Sequence, residues 1–180
     1  MTKSQFLVCA FALFWLGFCA PKVSAQEKSF KEFELSTCTD KKLGVRFLCG
    51  ADWELQTDKD AILVIVSEDP AVTMTVARTK SPVTFIEQLS RQALKEMGQY
   101  AEDFETKKVQ WAGLEGVQVD AAAADYPEIK LRDFYLLREP YLYSFLFSVN
   151  PQEDFEKFAP LFEKIMGSIQ FVPEENKPNI

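Results

Sequence analysis

Apolar residues along this chain recur first with a period of two and then with a helical period, and each change marks an element. Residues 33–38 read as a strand, and residues 44–49 as its hairpin partner across turn-forming Asp40 and Gly44. Gly50-Ala51-Asp52 bends the chain, and Trp53-Glu54-Leu55 restarts extended structure. Residues 62–66 form a short apolar run rich in branched side chains, the composition of a strand covered on both faces. After a turn at Glu68-Asp69-Pro70, Val72, Met74 and Val76 alternate with Thr73, Thr75 and Ala77.

The period lengthens after Ser81-Pro82. Thr84 and Glu87 have capping-box spacing, and Phe85, Ile86, Leu89, Ala93, Leu94 and Met97 form a helical stripe that Gly98 is placed to end. The stripe has the width of a face packed on a sheet. Strands then return. Residues 104–111 carry Val109 and Trp111 on one side, and Val117, Val119, Ala121 and Ala123 line one side of the next strand. Between them Gly113 and Gly116 predict a loop. No Lys-Ser/Thr pair and no helix follows, so these glycines are turn residues and not a phosphate grip.

Residues 129–137 and 141–149 flank Arg138-Glu139-Pro140 as a hairpin. Tyr141, Tyr143, Phe145, Phe147 and Val149 share one face, and Leu142 and Leu146 the other, which predicts a central strand. The aromatic row is read as core in preference to a carbohydrate or lipid platform. Residues 152–168 carry a last stripe: Phe155, Phe158, Ala159, Phe162, Ile165, Met166 and, just beyond, Ile169. Pro160 inside it predicts a kink or a restart. From Pro173 the chain is polar and is expected to fray.

The start of the chain carries a different pattern. Lys3 precedes an apolar run over residues 6–20, and Val23-Ser24-Ala25 has the small-x-small form that signal peptidase cuts. Fifteen residues rise only about 22 Å as a helix, short of a bilayer core. The expected organisation is therefore a signal peptide over residues 1–25, cleaved between Ala25 and Gln26, one domain over 26–172, and a flexible tail over 173–180. No stable membrane span is expected after cleavage. Lipidation at Cys19 is disfavoured because Phe18 stands where a small residue is needed.

Charge and chemistry narrow the function. The chain has 20 basic and 27 acidic side chains, a net −7. Loss of Lys3 and Lys22 with the leader makes the mature domain still more acidic. That balance argues against nucleic acid as a partner and against adhesion to an anionic membrane face. It also suits an exported domain that must stay soluble.

Cys38 and Cys49 are the cysteines left after cleavage, an even count in an oxidising compartment. The predicted hairpin lets them meet, and a ring of that size is worth about 3 kcal/mol. A redox-active pair would more often be spaced Cys-x-x-Cys at a helix start. Histidine is absent, which removes Ser-His-Asp and Cys-His arrangements and a closed zinc site. No cofactor or metal is expected.

Blocks of strands and helices without strict alternation point to an α+β fold with an antiparallel sheet. Gly44-Val45-Arg46-Phe47 leading through a bend to Trp53, the helix over 84–97, Gly113-x-x-Gly116, and the closing Ile165-Met166-Gly167-Ser168-Ile169 together resemble the PsbP-like superfamily, in particular its exported bacterial PsbP/DcrB-type domains. The resemblance spans nearly all of the mature chain. It departs from the family in the bend, where Cys49-Gly50-Ala51-Asp52 replaces the usual proline. It implies an α/β/α sandwich around a central antiparallel sheet, with one helix after the first strand block and one at the C-terminus. It also implies domains that mostly bind or assist other proteins, without one shared activity.

Three functions follow as expectations. The first is a non-enzymatic binding or assembly module, periplasmic or secreted, whose partner is another envelope or extracellular protein. The second is a carboxylate-based hydrolase of envelope polysaccharide, with Asp52, Asp103, Glu105, Asp120, Asp125 and Asp133 available. The third is a carrier of an apolar ligand, with residues 141–147 as cavity wall. Trp53 and Trp111 are read as core edge in preference to partner anchors. Arg132 and Asp133 are expected either to pair across strands or to cap opposite faces. Partner-contacting residues and oligomeric state are not encoded in any pattern here.

Overall fold

The computed structural model describes residues 34–58 and 60–173. The leader, the Ala25/Gln26 cleavage site, Cys19, the polar segment from Gln26 to Lys31 and the tail after Pro173 lie outside the described residues.

The first hairpin joins β1 (Leu35–Asp40) to β2 (Val45–Gly50), with Cys38 opposite Phe47 and Ser36 opposite Cys49. Its turn is held by Asp40, whose Oδ1 accepts the Leu43 N–H at 2.7 Å. Cys38 and Cys49 are bonded as a disulfide, with Cα atoms 5.8 Å apart, inside the usual range for such bridges. An unforeseen two-residue strand, β10 (Gln170–Phe171), pairs with the other edge of β2. It makes β2 the centre of a three-stranded sheet and ties the end of the domain to its beginning.

The main sheet has seven strands. They are β3 (Glu54–Thr57), β4 (Ala61–Glu68), β5 (Ala71–Lys80), β6 (Ala101–Trp111), β7 (Leu114–Ala123), β8 (Tyr126–Arg138) and β9 (Tyr141–Asn150). Their spatial order is β3-β4-β5-β9-β8-β7-β6, and every pairing is antiparallel. Helix α1 (Ile86–Met97) carries the chain from the middle of the sheet to its far edge. A 3-10 turn over Gln152–Asp154 leads into α2 (Phe155–Ser168).

Alternation along the strands builds two cores. Val72, Met74 and Val76 of β5, with Tyr143, Phe145 and Phe147 of β9, face α2 and the small sheet. Val117, Val119 and Ala121 of β7, with Leu142 and Leu146 of β9, face Leu89, Ala93 and Met97 of α1. The molecule is thus the expected three-layer α+β sandwich. β9 is central and apolar on both sides, as its sequence predicts, and the β8–β9 hairpin turns at Glu139-Pro140.

Several local expectations need correction. The capping box does not form: α1 begins at Ile86, its cap is Phe85, and no side chain closes the first turn. Phe85 is 62% exposed and does not belong to the buried stripe. Val83 is buried in the core beneath α1 and held by Ser81, whose Oγ accepts its N–H and donates to its carbonyl, so the chain reaches the sheet before the helix starts. Pro160 does not divide α2. It lies on the exposed side with Glu156, the residue whose carbonyl would have received its missing N–H, so the loss falls on the wet face.

The glycine turn also differs from expectation. Trp111 and Leu114 close a two-residue hairpin turn at Ala112 (φ 53°) and Gly113 (φ 76°), the positive pair a type I′ turn requires. Gly116 is no turn residue. It sits within β7 opposite Leu136, where a Cβ would collide with the Tyr135 carbonyl and the Leu136 side chain. β4 is fully covered only on the face of Ile62, Val64 and Val66, while Leu63 and Ile65 are half-buried.

Candidate functional site

The carboxylates available for chemistry are dispersed. Asp52 and Asp125 are exposed at turns, and Asp103 is exposed at a bulge in β6, where its φ of 56° breaks the ladder. Glu105 and Asp120 are direct cross-strand neighbours, but Asp120 is committed to β8. Arg132, its partner in register there, donates Nε to Oδ1 at 2.6 Å and Nη2 to Oδ2 at 3.1 Å. Gln118 Nε2 adds a bond to Oδ2 at 2.9 Å. The Arg132 guanidinium also lies 4.8 Å over the ring of Phe155, the first residue of α2. This fork joins β7, β8 and the helix start, and it occupies both oxygens of Asp120.

Asp133 follows Arg132 in the strand and therefore faces the other side. The two residues cap opposite faces and do not pair with each other. Asp133 is 1% exposed, beneath α1. Ser144 Oγ lies 2.9 Å from each of its oxygens, and the Tyr135 hydroxyl and the Phe145 N–H also donate to it. Tyr100, just after α1, hydrogen-bonds Tyr135 in turn. Burial pushes the Asp133 carboxyl up to about 7, Glu96 adds to this, and the three donors oppose it. Burial, with the charge of Asp133, likewise raises the hydroxyls of Tyr100 and Tyr135. The cluster holds a proton near neutrality in a place closed to substrate.

Among the described residues no group of three or more His, Cys, Asp or Glu side chains is arranged to hold a metal ion. No described helix is long and apolar enough to cross a membrane. An open groove of about 280 Å3 lies between the first hairpin and the end of α2, lined by Thr37, Arg46, Phe47, Leu48, Ser168 and Gln170. It is a seam between elements, bridged by the Leu48 N–H donating to Ser168 Oγ at 2.9 Å.

Apart from half-buried Tyr141, the aromatic row of β9 is core. Phe147 stacks on Phe162 of α2 at 4.4 Å and meets Phe134 edge-on at 5.9 Å, and Tyr143, Phe145 and Phe147 are fully buried. Both tryptophans sit at core edges. Trp53 packs over Gly50 and is buried, while Trp111 is half-buried, edge-on to Phe134 at 6.1 Å and against Gly167.

One grouping escapes a linear reading. Lys80, Tyr141 and Arg138 form a row across β5, β9 and β8, and Arg78 is opposite Tyr143 in the next row. These residues come from separate strands, so no local motif announces them. The signal that could have found them is phase: Arg78 and Lys80 continue the Val72-Met74-Val76 side of β5, and Arg138 continues the Phe134-Leu136 side of β8.

The layers, strand order and helix placement define a PsbP-like fold. Cyanobacterial PsbP (CyanoP) from Synechocystis sp. PCC 6803 superposes with a TM-score of 0.60 at 13% identity, over 87% of this chain and 98% of that one. The point-mutant structure of the protein Mog1 gives 0.58 at 9% identity, over 77% and 96%. PA94, a protein of unknown function from Pseudomonas aeruginosa, gives 0.52 at 15% identity, over 79% and 99%. No protein-family model matches the chain, and no curated protein sequence does. At these identities the likeness is one of fold.

Proposed function

We propose that this chain is an exported, non-enzymatic module that binds another protein of the envelope or extracellular space. The observation that carries this reading is the fate of the polar groups best placed for chemistry. Asp120 is locked by Arg132 and Gln118, and Asp133 is sealed on the reverse face of the same sheet. A glycosidase needs two carboxyls converging on one scissile bond, and these two diverge. Phe147 of β9 is likewise stacked on Phe162 of α2 and edge-on to Phe134, which supports a close-packed interior in preference to a ligand cavity.

Export rests on the leader pattern and is supported by the disulfide, which persists in oxidising compartments. The test is affinity capture from the envelope fraction under crosslinking, with mass spectrometry of what is recovered. One or a few proteins enriched over an unrelated exported control are expected. Recovery of none, or turnover of an envelope glycan by the purified protein, would overturn the reading.

A further inference from the structure

One end of the main sheet gathers cations around the half-buried rings of Tyr141 and Phe171 in an otherwise acidic protein. Tyr141 of β9 has Lys80 of β5 as its cross-strand neighbour on one side and Arg138 of β8 on the other. Arg78 lies with its guanidinium 4.4 Å over the Tyr141 ring. Arg138 lies 4.8 Å over Phe171 of β10, whose ring is 4.9 Å from that of Tyr143. The β1–β2 turn, with exposed Lys41 and Lys42, reaches the same end: the Leu43 carbonyl accepts from the Tyr143 hydroxyl at 2.9 Å and from Arg78 Nη1 at 3.4 Å.

The two register rows, Arg78–Tyr143–Leu136 and Lys80–Tyr141–Arg138, contain no carboxylate. Of the acids at this end, Glu139 adjoins Arg138 in sequence, the Asp60 carbonyl accepts the Arg78 N–H at 3.1 Å, and Asp40 is turned onto the Leu43 N–H. Among the described residues the side chains of Lys80 and Arg138 make no ion pair or hydrogen bond. The Arg138 guanidinium over the Phe171 ring leaves its N–H fork for another acceptor, and carboxylate is the planar group that fits that fork. Half-buried tyrosine and arginine side by side are also the residue types that anchor protein interfaces.

We propose that this end of the sheet is the module's docking surface and that it takes an acidic, extended segment of the partner protein, whose carboxylates are received by Arg138 and Lys80 on either side of Tyr141. The proposal rests on the binding-module reading and supplies its surface. Fluorescein-labelled deca-glutamate is the probe, followed by anisotropy at low salt with the exported protein purified from its host. Binding that weakens as salt rises is expected, with a loss of roughly tenfold in the Lys80→Gln/Arg138→Gln variant. Arg138→Lys, which keeps the charge but not the fork, should lose part of that. Lys107→Gln/Lys108→Gln removes the same charge from the exposed β6 edge and should stay within about twofold.

Thermal unfolding of each variant separates lost binding from lost folding. Equal losses in the two double variants would reduce the effect to net charge and overturn the proposal. Equal or stronger retention of the protein on phosphatidylglycerol vesicles, lost in the same variant, would make the occupant a membrane and also overturn it. If the probe binds only after Glu174→Gln/Glu175→Gln, the occupant is the chain's own end and the partner assignment fails. Crosslinked capture with the Lys80→Gln/Arg138→Gln variant separates the two claims. A partner recovered equally by variant and wild type leaves the module reading standing and removes this surface.

Discussion

Arg132 and Asp120 meet through two side-by-side hydrogen bonds between β8 and β7, at 2.6 and 3.1 Å, with side chains only 11% and 18% exposed. A charge pair this far from water is costly to break from one side only, because the remaining ion stays partly buried. Asp120→Ala and Arg132→Met should each lower stability by about 2 kcal/mol in urea titrations. The double substitution should cost less than the two added together, since it leaves no orphan charge. Additive losses would show that the fork contributes nothing as a pair.

Asp133 gives the protein a pH dependence of definite sign. Its folded value, about 7, lies above the unfolded value near 3.8, so the folded state binds this proton more tightly. Stability from this group is fully present below the unfolded value and is lost as pH rises from there through 7, because the unfolded state then binds fewer protons than the folded one. Glu96, Tyr100, Tyr135 and Ser144 are the polar groups that face it. Denaturation at pH 5 and at pH 8 should show wild type losing about 1 kcal/mol or more across that interval relative to Asp133→Asn. Parallel profiles for the two proteins would remove Asp133 from the account.

The parts of this fold legible in sequence are those where one element's own pattern determines its place. β5 and β9 announce their buried faces through alternation, and α2 through its stripe, because a buried face must be apolar wherever its partner comes from. What escaped depends on partners remote in sequence. β10 is two residues long and is a strand only because β2 lies beside it. The entrance to α1 is set by Val83 seated on the sheet and not by the local Thr84–Glu87 spacing. The Lys80–Tyr141–Arg138 row needs the non-local β5–β9 pairing before its members become neighbours. Among the six candidate carboxylates, sequence had no means of telling that Asp120 and Asp133 face opposite ways with different partners.

The disulfide fastens the small sheet at the edge opposite β10. Cys38 and Cys49 are on facing strands but are not register partners, so the bridge runs diagonally across the β1–β2 ladder. Closing a loop of this length should contribute about 3 kcal/mol, mostly by restricting the unfolded chain. Cys38→Ser/Cys49→Ser should therefore lower the urea midpoint while leaving the far-ultraviolet circular dichroism of the sheet intact. Thiol titration of unfolded, unreduced protein spanning residues 26–180 should find neither cysteine free. Two reactive thiols there would contradict the bridge.

Gly113 and Gly116 look alike in sequence and should respond to alanine for different reasons. Gly113 has φ 76° with open space where a Cβ would go, so Gly113→Ala should cost only the left-handed backbone penalty, about 1–2 kcal/mol. At Gly116 the added methyl meets the backbone carbonyl of Tyr135, which the β7–β8 ladder holds in place, and the Leu136 side chain behind it. Backbone in an interior ladder cannot yield as a flexible side chain would, so Gly116→Ala should cost about 3 kcal/mol or more. It should also disturb the neighbouring Asp120–Arg132 and Asp133–Tyr135 sites on β7 and β8. Paired denaturation curves for the two variants decide the matter: the larger loss must fall at Gly116, and the reverse order would mean that β7 and β8 do not approach as closely as this register requires.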